Sequence, residues 1–166
     1  MTSGQVTHGL VIGTVQEIDP VLGRVKVSVP ERGHASHWAP IASLMAGGGR
    51  GAYFMPEEGD EVVLGFDRGR FDHPYVIGFL WNGQDAPPQT DGHQRTIRSV
   101  NGHEITLYDP GVKGGDKGYV RIKDAHGNLV ELANGQITIK GVGLIQISAP
   151  VVTINGRVVA PVGPPI

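Results

Sequence analysis

The residues best suited to metal binding lie in one short segment, His34-Ala35-Ser36-His37. Two imidazoles at this spacing could supply two nitrogen ligands, but the chain contains no cysteine and no carboxylate is an obvious third ligand. A histidine pair in a loop is structural or incidental far more often than it is a metal site. We therefore expect no metal and no cofactor.

Two further groups contain residue types found in catalytic or phosphate-binding sites, but neither matches the sequence motif of such a site. Residues 46–51 are rich in glycine, as phosphate loops are, but the Gly-Lys-Ser/Thr that would hold phosphate and Mg²⁺ is missing. Ser99, Ser148 and His103 lack the sequence context of a nucleophile elbow. We assign no catalytic residue and expect that the protein is not an enzyme.

Composition favours a chain of short strands. The 166 residues include 26 Gly and 12 Pro, and only 18% are charged, which is typical of a turn-rich all-β protein. The net charge of −2 provides no basic patch to attract nucleic acid. Residues 1–7 lack the basic and apolar regions of a signal peptide, so we expect synthesis in the cytoplasm without one.

The first 83 residues predict a small barrel. Residues 24–29 alternate strictly, with three valines on one face, after a turn that contains Pro20 and Gly23. Further strands are predicted at 10–18, 38–44, 61–66 and 75–81. Five strands in about eighty residues favour a closed or nearly closed barrel. Residues 84–95 have no apolar periodicity and predict a linker, with a second domain at 96–166.

The end of the second domain repeats short apolar pairs about eight residues apart. The pairs are Ile137/Ile139, Ile145/Ile147 and Val152/Ile154. Between Leu132 and Ile166 only Lys140 and Arg157 carry a charged side chain, so a monomer would leave a long apolar stripe in water. This pattern predicts stacked strands that face copies of the same chain, although an ordinary β-sandwich core would also explain it.

Four motifs in residues 8–83 carry a resemblance to a known family. They are Trp38-Ala39-Pro40, Ala46-Gly47-Gly48-Gly49-Arg50-Gly51, Phe54-Met55-Pro56-Glu57-Glu58-Gly59-Asp60-Glu61-Val62, and Pro74-Tyr75-Val76-Ile77-Gly78 with Leu80-Trp81-Asn82-Gly83. Their order resembles the phage baseplate assembly protein V and VgrG spike family. The resemblance implies an OB-fold followed by a β-helix in which three chains intertwine, as the central spike of a contractile tail or injection machine.

Strand pairs that recur every eight residues are too short to circle a core alone, whereas three chains can share the circuit. The six residues expected at the trimer axis are Ile137, Ile139, Ile145, Ile147, Val152 and Ile154. The apolar end of the chain, without the His-x-His of some family members, predicts a bound PAAR-like tip protein rather than an apical metal. The residues expected to bind this cap are Val162, Pro164, Pro165 and Ile166.

We therefore expect a homotrimeric, structural spike that caps the tube end, contacts baseplate hub proteins and pierces the target envelope on sheath contraction. It would be assembled in the baseplate of a virion tail or a tail-like particle. The alternative is an OB-fold module that binds an oligonucleotide or oligosaccharide, which would require exposed aromatic side chains on a basic face. Trp38, Tyr53, Phe54 and Trp81 are expected to pack in the core or at subunit contacts instead.

Overall fold

The computed structural model describes residues 9–30, 33–111 and 115–159. The chain forms two compact units, Met1–Ala86 and Pro87–Ile166. Apart from one short 3-10 helix, Asp67–Gly69, every regular element in the described ranges is a β-strand, which confirms the predicted all-β class.

The strands of the first unit are β1 (Val11–Asp19), β2 (Arg24–Val29), β3 (His34–Ala35), β4 (Ala39–Pro40), β5 (Ala46–Gly47), β6 (Arg50–Gly51), β7 (Glu61–Phe66) and β8 (Pro74–Phe79). Those of the second unit are β9 (Gln94–Arg98), β10 (Glu104–Tyr108), β11 (Tyr119–Lys123), β12 (Leu129–Ala133), β13 (Gln136–Lys140), β14 (Thr153–Ile154) and β15 (Arg157–Val158). The predicted linker, 84–95, thus includes the first two residues of β9.

The first unit is a nearly closed barrel. Its main sheet has the antiparallel order β3-β2-β1-β7-β8, and β4 pairs with the other end of β2. A parallel bridge between Ile41 and Val76 brings the segment after β4 onto β8, and the Ala42 N–H donates to the Val76 carbonyl at 2.8 Å. These contacts join the two edges of the sheet, which leaves few unpaired backbone groups.

The barrel core follows from period-2 alternation along its strands. Val25, Val27 and Val29, predicted to share a face, are all buried, and they pack with Val62 and Leu64 of β7. The predicted strand at 38–44 is wrong in extent, since only Ala39–Pro40 forms a strand there. Pro40 lacks a backbone N–H, which limits how far a ladder can extend.

The second unit contains one antiparallel meander of five strands, ordered β13-β12-β11-β10-β9. Its turns lie at the glycines and asparagines that the sequence indicates: Gly102, Gly127, Asn134, Gly135, Asn155 and Gly156 all have positive φ. Beyond this sheet the described residues add only the two-stranded hairpin β14–β15. A sandwich needs a second sheet, so the alternative of an ordinary sandwich within one chain is wrong for the described residues.

The predicted strand pairs of the tail form only in part. Ile137 and Ile139 lie in β13 and Ile154 lies in β14, but Ile145 and Ile147 belong to a segment, 141–152, that has no strand. A strand requires a hydrogen-bonded neighbour, and no described strand of the same chain lies beside this segment.

A glycine within β1 provides a test of the barrel packing. A Cβ added to Gly13 would collide with the backbone oxygen of Ser28 and lie 2.6 Å from Val27 Cγ1. Gly13→Ala is therefore expected to destabilise the barrel by about 1–3 kcal/mol, as overpacking does. Both tryptophans of the chain, Trp38 and Trp81, lie in the first unit, so urea unfolding followed by tryptophan fluorescence reports on this unit.

The matched control is Gly78→Ala in β8, because no atom lies within 4 Å of a Cβ added there. This change is expected to alter the unfolding free energy by no more than about 0.5 kcal/mol. Equal effects of the two substitutions would contradict the close approach of β1 and β2 at Gly13.

Candidate functional site

The sheet β9–β13 carries its apolar side chains on one face, called here the apolar face. Cα pairing across the strands aligns them in two rows. The first row is Leu107, Val120, Leu132 and Ile137, and the second is Ile97, Ile105, Ile122, Val130 and Ile139. Each of these side chains is between 37% and 71% exposed in the single chain. Monomers rarely expose an apolar surface so continuous, which makes this face the candidate functional site.

The opposite face of the same sheet is polar. Cα pairing aligns Thr96, Thr106, Arg121, Glu131 and Thr138 across all five strands. The Arg121 Nε donates to Glu131 Oε2 at 2.7 Å, and the Arg121 guanidinium also stacks 4.0 Å from the centre of the Tyr119 ring. Polar groups therefore contact one another on this side, while the apolar side chains on the other side stay 37–71% exposed among the described residues.

Asp124 fixes the turn that aligns β11 with β12. Its carboxylate accepts the Asn128 side-chain N–H at 2.7 Å and the backbone N–H groups of Asn128 at 2.8 Å and His126 at 3.0 Å. These bonds, led by the Asn128 amide, lower the pKa of Asp124. Because the turn sets the register that pairs Ile122 with Val130, the carboxylate helps to form both apolar rows.

Two of the six predicted axis residues lie on the apolar face, namely Ile137 and Ile139. Ile145 and Ile147 are exposed in the segment 141–152, and Ile154 is exposed in β14. Val152 is half-buried beside β14. The position of all six at a common axis therefore stays a prediction. Val162, Pro164, Pro165 and Ile166, predicted to bind a cap, lie outside the described residues.

Most of the apolar face was not assigned from the sequence. Of this face, only Ile137 and Ile139 were named from the sequence. The strand residues Ile97, Ile105, Leu107, Val120 and Ile122 were not linked to them. Their period-2 spacing was a sufficient signal for each strand, whereas the shared face depends on the pairing register.

The residues that the sequence analysis considered as catalytic, phosphate-binding or metal-binding candidates lie mainly in turns and hairpins. Ser99 Oγ accepts the His103 backbone N–H at 3.1 Å in the β9–β10 turn, and residues 46–51 form the hairpin β5–β6. Within the described ranges, no group of three or more His, Asp or Glu side chains is arranged to hold a metal ion. The side chain of His34 lies outside what the structure describes.

The aromatic residues of the barrel are not in its core. Tyr53, Phe54 and Trp81 are exposed, so the expectation of core packing is wrong for them, and the subunit-contact alternative stays a prediction. Trp38 is half-buried between Arg24 and Lys26, whose charged groups lie 4.9 and 4.8 Å from its ring centre. Valine, leucine and alanine form the buried core, and Phe66 and Phe71 pack against it, which leaves Tyr53, Phe54 and Trp81 outside.

The surroundings of the exposed aromatics bear on ligand binding. Phe54, Phe79 and Trp81 line a groove whose other side chains include Asp60, Glu61 and Asp85. A binding site for single-stranded nucleic acid combines aromatic stacking with positive charge. Carboxylates beside these rings would repel phosphate, which disfavours the oligonucleotide alternative.

Within residues 9–30, 33–111 and 115–159, the structure contains no helix with the length and hydropathy of a membrane span.

The first unit is a nearly closed five-strand barrel, as in an OB domain. Residues 7–81 match the family described as the Type VI secretion system/phage-baseplate injector OB domain. The first unit therefore contains the OB domain of this baseplate injector family, which confirms the resemblance found in the sequence motifs. A search of curated proteins gives no match.

Family membership defines the general role of the protein. It is a structural component of a phage or Type VI secretion baseplate, and it associates with other baseplate components there. The family is a structural one, not known for enzymatic activity, in line with the absence of an assigned catalytic residue.

The Asp124 turn predicts a pH-dependent contribution to the stability of the sheet. A carboxyl whose folded-state pKa is lowered stabilises the fold above its unfolded-state value of about 3.9, and that contribution is lost as the pH falls through the lowered value. Asp124→Ala is therefore expected to lower the thermal unfolding midpoint at pH 7, and the difference from the wild type should shrink below about pH 3.9.

Far-UV circular dichroism at pH 7 and at pH 3 provides the comparison. Gln136→Ala serves as the control, since the Gln136 side chain is exposed and the described residues give it no hydrogen bond. A difference between wild type and Asp124→Ala that is the same at both pH values would show that the carboxylate charge is not what stabilises the turn.

Proposed function

We propose that the protein is the homotrimeric central spike of a contractile tail or injection machine, which caps the tube end and pierces the target envelope when the sheath contracts. The observation that carries this proposal is the apolar face of β9–β13, which no described part of the chain covers. The match of residues 7–81 to the baseplate injector OB-domain family supports the assignment to a contractile tail or injection machine. The proposed domains are an OB-fold hub at 1–83, a linker at 84–95 and the spike at 96–166.

Three copies with their apolar faces turned inward would form a closed prism. Burying a large aliphatic side chain contributes about 1.5–3 kcal/mol, and each chain has two rows of such side chains to bury. The polar face, with the Arg121–Glu131 ion pair, would lie outward in water. In this arrangement the apolar face would be buried and the polar face would stay hydrated. A single sheet with one uncovered apolar face would be only marginally stable.

The segment 141–152 supports intertwining of the chains. It is exposed along most of its length and forms no strand, and among the described residues the hydrogen bonds within the chain reach it only at Val142 and Val152, near its two ends. Backbone N–H and C=O groups need partners when a segment is buried. Strands of neighbouring chains would provide these partners, and Ile145, Ile147, Val152 and Ile154 would then join Ile137 and Ile139 at the axis.

Piercing follows from stiffness and from the low charge of the tail. A closed prism has no free strand edge, and local unfolding would break contacts in all three chains. Only Lys140 and Arg157 are charged between Leu132 and Ile166. Few ionised groups would have to lose water on entering a lipid layer, where each costs several kcal/mol.

The proposed partners lie at the two ends of the spike. Barrel loops such as 46–51 and 31–37 are proposed to contact tube-end and hub proteins, although residues 31 and 32 lie outside the described ranges. At the other end, the apolar residues Val162, Pro164, Pro165 and Ile166 are proposed to bind a PAAR-like tip protein. The target envelope would be a transient partner during contraction.

A single substitution on the apolar face tests the trimer. Ile139→Lys would place three ammonium groups together inside the prism, at a cost of several kcal/mol for each buried ion. We expect light scattering to give the mass of a trimer for the wild type and of a monomer for Ile139→Lys. Particles assembled with the variant are expected to lack spike density in cryo-EM and to fail to permeabilise target cells.

The matched control is Thr138→Lys, one residue earlier in β13 and on the polar face, where the new ammonium faces Glu131 of β12. It should remain trimeric and active. A monomeric or dimeric wild type, or a trimer that tolerates Ile139→Lys, would contradict the proposed packing.

The cap is tested separately on the full chain. Val162→Asp combined with Ile166→Asp is expected to abolish co-purification of the machine's own PAAR-like protein, because charged groups replace the apolar contact. The trimer mass should not change. Equal recovery of the PAAR-like protein by wild type and variant would exclude this segment as its binding site.

A further inference from the structure

The hairpin β5–β6 extends an apolar and basic arm from the barrel. Leu44 and Met45 precede it, and Leu44 is 96% exposed. The arm has a defined shape: the Ala52 N–H donates to the Met45 carbonyl at 3.0 Å, and Ser43 Oγ donates to the Ala52 carbonyl at 2.6 Å. Gly51 has φ +152°, and a Cβ there would collide with the Met45 carbonyl oxygen, so glycine is required. An ordered arm with an apolar base exposed to water indicates a contact with another surface.

The groove lined by Phe54, Phe79 and Trp81 adjoins the arm in the same unit, since Phe54 and Phe79 also line the cavity beside the arm. It has a volume of about 490 Å³, and Trp81 is 67% exposed at its side. Asp60, Glu61 and Asp85 also line it. Exposed rings beside carboxylates are suited to a partner that has apolar side chains next to a cation.

The charges of the arm and the groove are complementary and are not used within the chain. Among the described residues, Arg50 of the arm forms no ion pair, and no Lys, Arg or His side chain pairs with Asp60, Glu61 or Asp85. Asp60 and Asp85 accept hydrogen bonds only from uncharged groups, the Glu57 backbone N–H at 2.9 Å and the Asn82 side chain at 3.1 Å. The other ion pairs of this unit, such as Arg24 with Asp19, are already formed.

We propose that the arm of one copy docks in the groove of the next copy, with Leu44 and Met45 against the rings and Arg50 against the carboxylates. A ring with three-fold symmetry requires such a head-to-tail contact, in which two different surfaces of each copy meet. This inference depends on the trimer of the proposed function. It adds a second contact that holds the three barrels in one ring. The arm would then be occupied by the neighbouring copy, so hub proteins would be contacted through other barrel loops such as 31–37.

Cross-linking in the full chain tests the docking. The chain has no cysteine, so introduced thiols are the only ones present. Gly48→Cys places a thiol at the arm tip, where a Cβ meets no atom within 4 Å, and Gln84→Cys places one next to Asp85. Both changes leave Arg50 and the carboxylates in place. A short bis-maleimide is expected to link the double variant into covalent trimers, which denaturing electrophoresis would resolve; a link within one chain would not change its mass.

The control pair is Gly48→Cys with Glu17→Cys, because Glu17 lies outside both surfaces and should give no covalent trimer. Arg50→Glu in the Gly48→Cys/Gln84→Cys background is expected to lower the yield severalfold, and adding Asp85→Arg should restore it by exchanging the charges. Light scattering of each variant gives the trimer mass independently.

The outcomes separate the two proposals. A trimer by light scattering that cross-links no better than the control pair would overturn the docking and leave the proposed spike intact, with the groove open to a hub protein. A monomer by light scattering would overturn both. A yield unaffected by Arg50→Glu would show that the charges do not direct the contact and would overturn the docking as proposed.

Discussion

The structure of the second unit depends on one constraint, that apolar side chains must leave water. Five antiparallel strands carry two apolar rows on one face and a row of hydroxyl and charged groups on the other. A monomer would be expected to bury its apolar side chains and expose its polar ones. Here Thr106 on the polar face is 2% exposed, whereas Ile137 on the apolar face is 71% exposed. In the proposed trimer, this sheet would be part of a larger core that the other two copies complete.

The same constraint accounts for the unpaired tail. In the proposed trimer, neighbouring copies would complete the core, so the segment 141–152 would not need to form a strand within its own chain. The low charge of the tail has the same physical origin in the proposed trimer, because a narrow prism with three chains around one axis has little outward surface on which charged side chains can lie.

Alternation and turn residues were sufficient to predict the barrel strands, since Val25, Val27 and Val29 sit in a hairpin that Pro20 and Gly23 delimit. The ordered motifs of residues 8–83 identified the family. Other features depend on tertiary contacts that local patterns do not encode. The closure of the barrel rests on one bridge between Ile41 and Val76, and the sharing of one face by Ile97 and Ile139 rests on four successive registers.

The exposed aromatics of the barrel follow from the size of its interior. The core holds valines, one leucine and one alanine, and a five-strand barrel of this kind has no room for an indole ring. Tyr53, Phe54 and Trp81 therefore lie outside, and Phe54 and Trp81 lie beside the carboxylates of the groove. Both units thus expose apolar side chains to water, but with different residues around them. The sheet exposes two aliphatic rows with one charged side chain, Arg95, at the β9 end of the first row. This composition favours permanent association, whereas the barrel exposes rings beside unpaired charges, which favours a contact of defined orientation.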